Sequence, residues 1–247
     1  MTGTYRIANQ TIQITSLYGD IHEQCMAFRV DAAPDYKIAT TGADIEAQWE
    51  KLIHQESAQR HSMQRFSEAA MESYAILDEI AELCLKDQKI LLYGSAVKTN
   101  GEGFLFLSDR SFLKAFFANL WMNTDVGGGS VLLNNNTSMI EVSENEVTVY
   151  SIPWHRGRAG CVNQSVPLKA ICLLKSGKRN AMNRLEGNDA QAVLLEHSFS
   201  PTDEFVSVKR QEIINMLLSR VKLYRFESNM DHEAVHIAYN LMSMERY

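Results

Sequence analysis

The stretch from Gly103 to Trp121, GFLFLSDRSFLKAFFANLW, limits the possible folds more than any other part of the chain. Phe104-Leu105-Phe106-Leu107 is a short apolar run of the kind that forms a buried strand. Ser108-Asp109-Arg110-Ser111 then turns the chain. Leu113, Phe116, Phe117, Leu120 and Trp121 follow at i, i+3, i+4, i+7 and i+8, one stripe of a helix. Strand, tight turn and helix are the frame of a phosphate-binding loop, in which N–H groups at the helix start face an anion. Lys114 sits where such a loop places its lysine, but the loop's glycines and the Ser/Thr after the lysine are missing. Most of the aromatic residues here read as core. Phe112 and Phe116 lie at the turn, where the sequence places them to plug the volume that phosphates would occupy.

A chain of 247 residues with 45% hydrophobic content can bury a full core. A net charge of −6 excludes a general nucleic-acid binder, which needs a basic face. No apolar run reaches the ~18 residues of a membrane span, and MTGTYRIANQ has no signal-peptide pattern. Cys25, Cys84, Cys161 and Cys172 are far apart, with no CxxC pair, so neither a zinc ribbon nor a disulfide scaffold fits. These features predict a soluble cytoplasmic protein whose cysteines are small buried hydrophobes.

Along the chain, Tyr5, Ile7, Ile12 and Ile14 alternate as a hairpin turning near Ala8-Asn9-Gln10. Asp20 to Phe28 reads as a short helix opened by an Asp cap, and Ala33 to Ala39 as a turn into a strand. Asp44 to about His54 and Ser67 to Leu85 carry helical periodicity, with Gln55 to Phe66 an exposed loop or helix end. Lys89 to Val97 is a buried strand, and Thr99-Asn100-Gly101-Glu102-Gly103 a hairpin turn. Asp125 to Ser130 is a glycine turn, either a plain loop or an anion nest. Val131-Leu132-Leu133 reads as a short buried strand, Glu141 to Ile152 as two strands, and Val166 to Leu174 as a core strand. Asn188-Asp189 are placed to cap a helix. Phe205 to Val221 and Asp231 to Met244 are helices separated by a strand at Leu223-Phe226.

The order of Gly94-Ser95-Ala96-Val97, FLFLSDRSFLKAFFANLW, VLLNNN, IPW, SVPLKAICLL and LYRFESNMDHEAVHIAYNLM resembles the HPr kinase/phosphoenolpyruvate-carboxykinase-like P-loop kinases, in particular the bacterial group. The resemblance covers about Ile90 to Met242 and is strongest in VPLKAI and LYR…NM. It implies an α/β fold with a mixed sheet, a P-loop-like strand–turn–helix and C-terminal helices. Residues 1–87 then form an N-terminal α+β extension and 88–247 the kinase-like core. The family's loop, GxxGxGKST, finds Ser108, Ser111 and Leu113 at its glycines and Ala115 and Phe116 at its Ser-Thr pair. A side chain at Leu113 resists close approach to phosphate, and Ala115 has no hydroxyl for Mg²⁺. Where the family has Asn-Asp-Asp, this chain has Asn134-Asn135-Asn136, and Tyr93 replaces a histidine. An amide takes no proton and ligates hard cations poorly.

The resemblance therefore implies a catalytically degenerate kinase-like protein that serves as a binding or regulatory module. The alternative is an active ATP-dependent phosphotransferase acting on a hydroxyl. Asn135, Asn136 and His155 are the candidate catalytic positions. Ser108, Asp109, Arg110, Ser111, Leu113, Lys114, Ala115, Arg156 and Arg158 are the candidate nucleotide contacts. Lys114 is either an anion ligand or a solvated lysine at a helix start. Arg110, Arg156 and Arg158 either gather at one anion pocket or are surface charge. No cofactor is required unless the site is active, when ATP and Mg²⁺ are. The partner expected is a protein or peptide, with a homo-oligomer open and neither nucleic acid nor membrane. His232-Glu233-Ala234-Val235-His236 matches the HExxH string of zinc proteases, but no third ligand follows.

Overall fold

The computed structural model describes residues 1–59, 66–126, 128–154 and 163–244, and the chain divides into two compact units, Met1–Leu83 and Cys84–Tyr247. In the first unit, strands β1 (Thr2–Ile7) and β2 (Gln10–Thr15) pair antiparallel, with Ile7 opposite Gln10. Their turn has positive φ at both Ala8 and Asn9, the geometry whose twist matches a two-residue hairpin. The expected helix at Asp20 breaks into α1 (Asp20–Gln24) and a 3-10 turn at Met26–Phe28. Asp20 lies inside the first turn of α1, where no side chain caps the helix. Strand β3 (Tyr36–Ala39) adds parallel to β2. Helices α2 (Gly42–Gln59) and α3 (Glu68–Lys86) follow, so α2 runs into the stretch expected to be a loop or helix end.

Glu72 on α3 is 1% exposed and ties this unit together. Its carboxylate accepts from Leu17 N at 2.6 Å, Tyr18 N at 2.9 Å and Thr40 Oγ1 at 2.5 Å. Three donors on one buried carboxylate offset its loss of hydration.

The second unit is a mixed α/β fold built from β4 (Lys89–Leu92), β5 (Gly94–Thr99), β6 (Glu102–Leu107), α4 (Ser111–Met122), β7 (Ser130–Asn134), β8 (Ser138–Val142), β9 (Val147–Tyr150), β10 (Ser165–Ser176), β11 (Ala181–Leu185), α5 (Gly187–Glu196), α6 (Glu204–Arg220), β12 (Lys222–Ser228) and α7 (His232–Ser243). Its sheet runs β4-β8-β9-β10-β6-β5-β7, with β12 also on β10 and β11 on β12. Strand β10 is parallel to both β6 and β12. Strand β5 is antiparallel to both β6 and β7, so β7 runs parallel to β6. The carboxyl ends of β6, β7, β10 and β12 therefore share one rim, the place where open α/β sheets gather ligands.

Alternation puts Phe104, Phe106, Ala170, Cys172, Tyr224 and Phe226 on one face, packed against Phe117 and Trp121 of α4 and Val235 and Ala238 of α7. The Trp121 ring lies 5.1 Å from both Phe104 and Phe106, and its Nε1 donates to Thr99 Oγ1 at 2.8 Å. Burial of each such ring stabilises by about 1.5–3 kcal/mol. The hairpin from β5 to β6 turns at Asn100-Gly101, with φ of 53° and 81°.

Several sequence expectations shift. Val131 is 42% exposed, so β7 is buried only towards Leu133 and Asn134. Helix α5 begins at Gly187, with no side-chain cap from Asn188 or Asp189. Strand β11 went unseen because Ala181–Leu185 is an edge strand with no buried residue and little apolar alternation. Cys25, Cys84 and Cys172 are buried, while Cys161 lies outside the described residues. Burial raises the Cys84 thiol to about 12 and the Cys172 thiol higher still, so neither is a nucleophile at neutral pH. Among the described residues no helix is long and apolar enough to cross a membrane.

Candidate functional site at the strand ends

The turn after β6 is held from within. Ser108 Oγ donates to Leu174 O at 3.1 Å and receives Arg110 N at 3.3 Å, anchoring the turn to the end of β10. Arg110 is the residue before α4, and its side chain makes no cap. Asp109 faces outward, about half exposed, and pairs with Lys175 at the end of β10.

Lys114 is not the solvated lysine that was one of its two expected roles. It is 4% exposed, and its Nζ donates to Tyr93 O at 2.9 Å and Asn136 O at 3.1 Å. The buried face of α4 is Leu113, Lys114, Phe117, Ala118 and Trp121. Phe112 and Phe116 are 62% and 51% exposed. The expected stripe through Phe116, and the hydrophobic plug, are therefore both corrected. A lysine enters the buried face because two main-chain carbonyls at the strand ends accept its protons. That rotates the two phenylalanines out to solvent.

Asn134 acts through its side chain, and Asn135 and Asn136 through their main-chain carbonyls. Asn134, 1% exposed, donates from Nδ2 to Tyr150 O at 2.7 Å and accepts Ile152 N at 2.9 Å, stitching β7 to the chain after β9. Asn135 O accepts Ser95 Oγ at 2.6 Å, and Asn136 O accepts Lys114. The Oδ1 of Asn135 is buried without a hydrogen-bond partner. Leu113 is buried in the helix face, and Ala115 is half-buried. The strand ends thus bring Ser108, Asp109, Lys114, Asn135 and Asn136 to one rim, with Arg110 and Ser111 at the helix start. His155, Arg156 and Arg158 lie outside the described residues.

Sequence reasoning missed three members of this rim. The segment after α5 lies along β4: Tyr93 N donates to His197 O at 2.7 Å and Phe199 N to Leu91 O at 2.9 Å. His197 is 7% exposed, and its Nε2 sits 3.4 Å from Asp109 Oδ1 without a hydrogen-bond partner. Arg210 of α6, itself buried, fixes the segment through Ser198 Oγ at 3.0 Å, Ser198 O and Ser200 Oγ at 3.3 Å, and Leu195 O. Lys175 is the third. The sequence signal was faint: a Glu196-His197 pair at a helix end, with nothing local to link it to Asp109.

Burial holds the His197 imidazole below its ordinary pKa, against the Glu196 and Asp109 carboxylates and with help from Lys114 and Lys175. The hydrogen bond from Lys175 holds the Asp109 carboxyl low. His197 is thus neutral at neutral pH, and Lys175 is the ionic partner of Asp109. One ligand atom from each of Asp109, Glu196 and His197 lies within 4.8 Å of the others, the one group of this kind among the described residues. The HExxH pair lies on α7, where His232 Nδ1 meets Thr124 Oγ1 at 2.7 Å.

No protein-family model matches this chain, and no curated protein matches it. Among solved structures it is similar to the HPr(Ser) kinase/phosphatase from Coxiella burnetii, at 8% identity, over 61% of this chain and 92% of that one, with a TM-score of 0.34. That is a weak, fold-level likeness.

Proposed function

We propose that this chain is a catalytically degenerate kinase-like protein that works as a binding or regulatory module for a protein or peptide partner. The observation that supports this reading is the engagement of Lys114 with two main-chain carbonyls. A phosphate-loop lysine has to present its ammonium to the β- and γ-phosphates, and this one is turned towards two main-chain carbonyls of the scaffold. Ala115 and the Asn135-Asn136 pair add no metal hydroxyl and no carboxylate. Phe112 and Phe116, exposed at i and i+4 on α4, supply an apolar pair of the kind that anchors a partner.

The test is a calorimetric titration of the full chain with ATP, up to millimolar nucleotide, with and without MgCl₂. No heat is expected in either arm. A Mg²⁺-dependent isotherm that disappears in Lys114→Met would overturn the reading and restore the alternative, an ATP-dependent phosphotransferase acting on a hydroxyl.

A further inference from the structure

We infer that Asp109, Glu196 and His197 form a binding site for a divalent transition-metal ion of the zinc class. The inference is independent of the partner-binding reading and survives its failure. His197 carries it: an imidazole 7% exposed, with Nε2 buried and unpartnered, turned towards the carboxylate of Asp109. A buried ring nitrogen without a hydrogen bond is costly unless something else fills its lone pair.

The spacing fits a metal. Ligand bonds of about 2.0–2.2 Å in a tetrahedral site put neighbouring ligand atoms about 3.3–3.6 Å apart. His197 Nε2 and Asp109 Oδ1 are 3.4 Å apart, and a ligand atom of Glu196 lies within 4.8 Å of both residues' ligand atoms. Glu196 is exposed, so its side chain has room to move towards the other two. Three protein ligands leave a fourth position for water or an incoming group.

Supporting contacts are also in place. Asp109 uses Oδ2 for Lys175 and leaves Oδ1 to the site, so the lysine orients the carboxylate much as outer partners orient metal ligands. The Tyr93 N–H holds the His197 carbonyl, and Arg210 holds the Leu195 and Ser198 carbonyls on either side of it. One imidazole with two carboxylates suits zinc or a similar first-row ion. Magnesium prefers an all-oxygen octahedron with several waters. The ammonium groups of Lys114 and Lys175 face the same cluster and weaken the field of the two carboxylates, so the site selects by ligand chemistry more than by charge. A bound ion would tie the turn after β6 to the end of α5.

The experiment titrates ZnCl₂ alone into the full chain against a chromogenic chelator at pH 7.5. One equivalent is expected to bind, with MgCl₂ in excess failing to compete. Glu196→Gln and Asp109→Asn alter exposed side chains, so the fold survives, and each should weaken binding at least about tenfold. His236→Ala, in the HExxH pair, should leave binding unchanged. Absence of binding, binding indifferent to both carboxylate variants, or binding lost in His236→Ala would each overturn the inference.

Discussion

Lys114 shows how one buried cation can tie separate strands together. Its ammonium satisfies Tyr93 O and Asn136 O, and the Tyr93 peptide in turn donates its N–H to His197 O. A single peptide unit therefore links the helix lysine to the histidine segment. Lys114→Met keeps the length and removes the donor to two part-buried carbonyls. The expected cost is about 1–3 kcal/mol of stability, read as a lower urea midpoint at unchanged m-value. A lysine that served only phosphates would be nearly neutral when replaced. Arg210 makes the same point with a guanidinium that bonds hydroxyls and main-chain carbonyls.

At the scale of the element, the phase of α4 decides which residues matter. Phe117 is fully buried and 5.1 Å from the Phe106 ring, while its neighbour Phe116 is half exposed. Phe117→Ala should cost about 3–5 kcal/mol and Phe116→Ala within about 0.5 kcal/mol, both read from denaturant unfolding. Equal costs would contradict this phase. Apolar runs and turn residues made β6, α4, β10, β12 and the Asn100-Gly101 hairpin legible in the sequence. The phase of α4 was not, because a pattern of apolar residues gives no weight to a buried lysine whose acceptors lie on other strands. The Lys114–Asn136 contact was not legible either, because it joins the helix to a main-chain carbonyl on another segment. His197, Glu196 and Lys175 could not be placed there, because pairing across the sheet, not spacing along the chain, brings them to Asp109.

Among the described residues, half-buried His22 in the first unit and buried His197 in the second are the histidines with lowered pKa values. His22, between Tyr5 OH at 2.6 Å and Ser16 Oγ at 2.9 Å, and His197 both have pKa values pushed below 6.5 by burial. The unfolded chain therefore binds these protons more readily than the folded one. Stability is full above about pH 6.5 and falls as pH drops through the lowered native values. Lowered carboxyls at Asp44 and Asp109 extend the loss at more acid pH, against the raised Glu79. Urea midpoints should be level from pH 8 to 7 and decline from about pH 6.5 to 5, and His197→Asn should flatten part of that decline. A midpoint that holds steady or rises on acidification would contradict it.

Strand β10 bears on how the protein is made. Its first residues pair with β9, its middle with β6 and its second half with β12, which begins only at Lys222. A ribosome delivers Met1–Leu83 as an uninterrupted stretch able to close on its own contacts. It then releases β4 to β9 well before the strand that joins β9 to β6. Until β10 emerges, the apolar Phe104–Leu107 strand has one open edge, and until β12 emerges β10 has another. Synthesis speed and chaperone cover between those two moments, more than the final stability, set how much of the nascent chain reaches the native state.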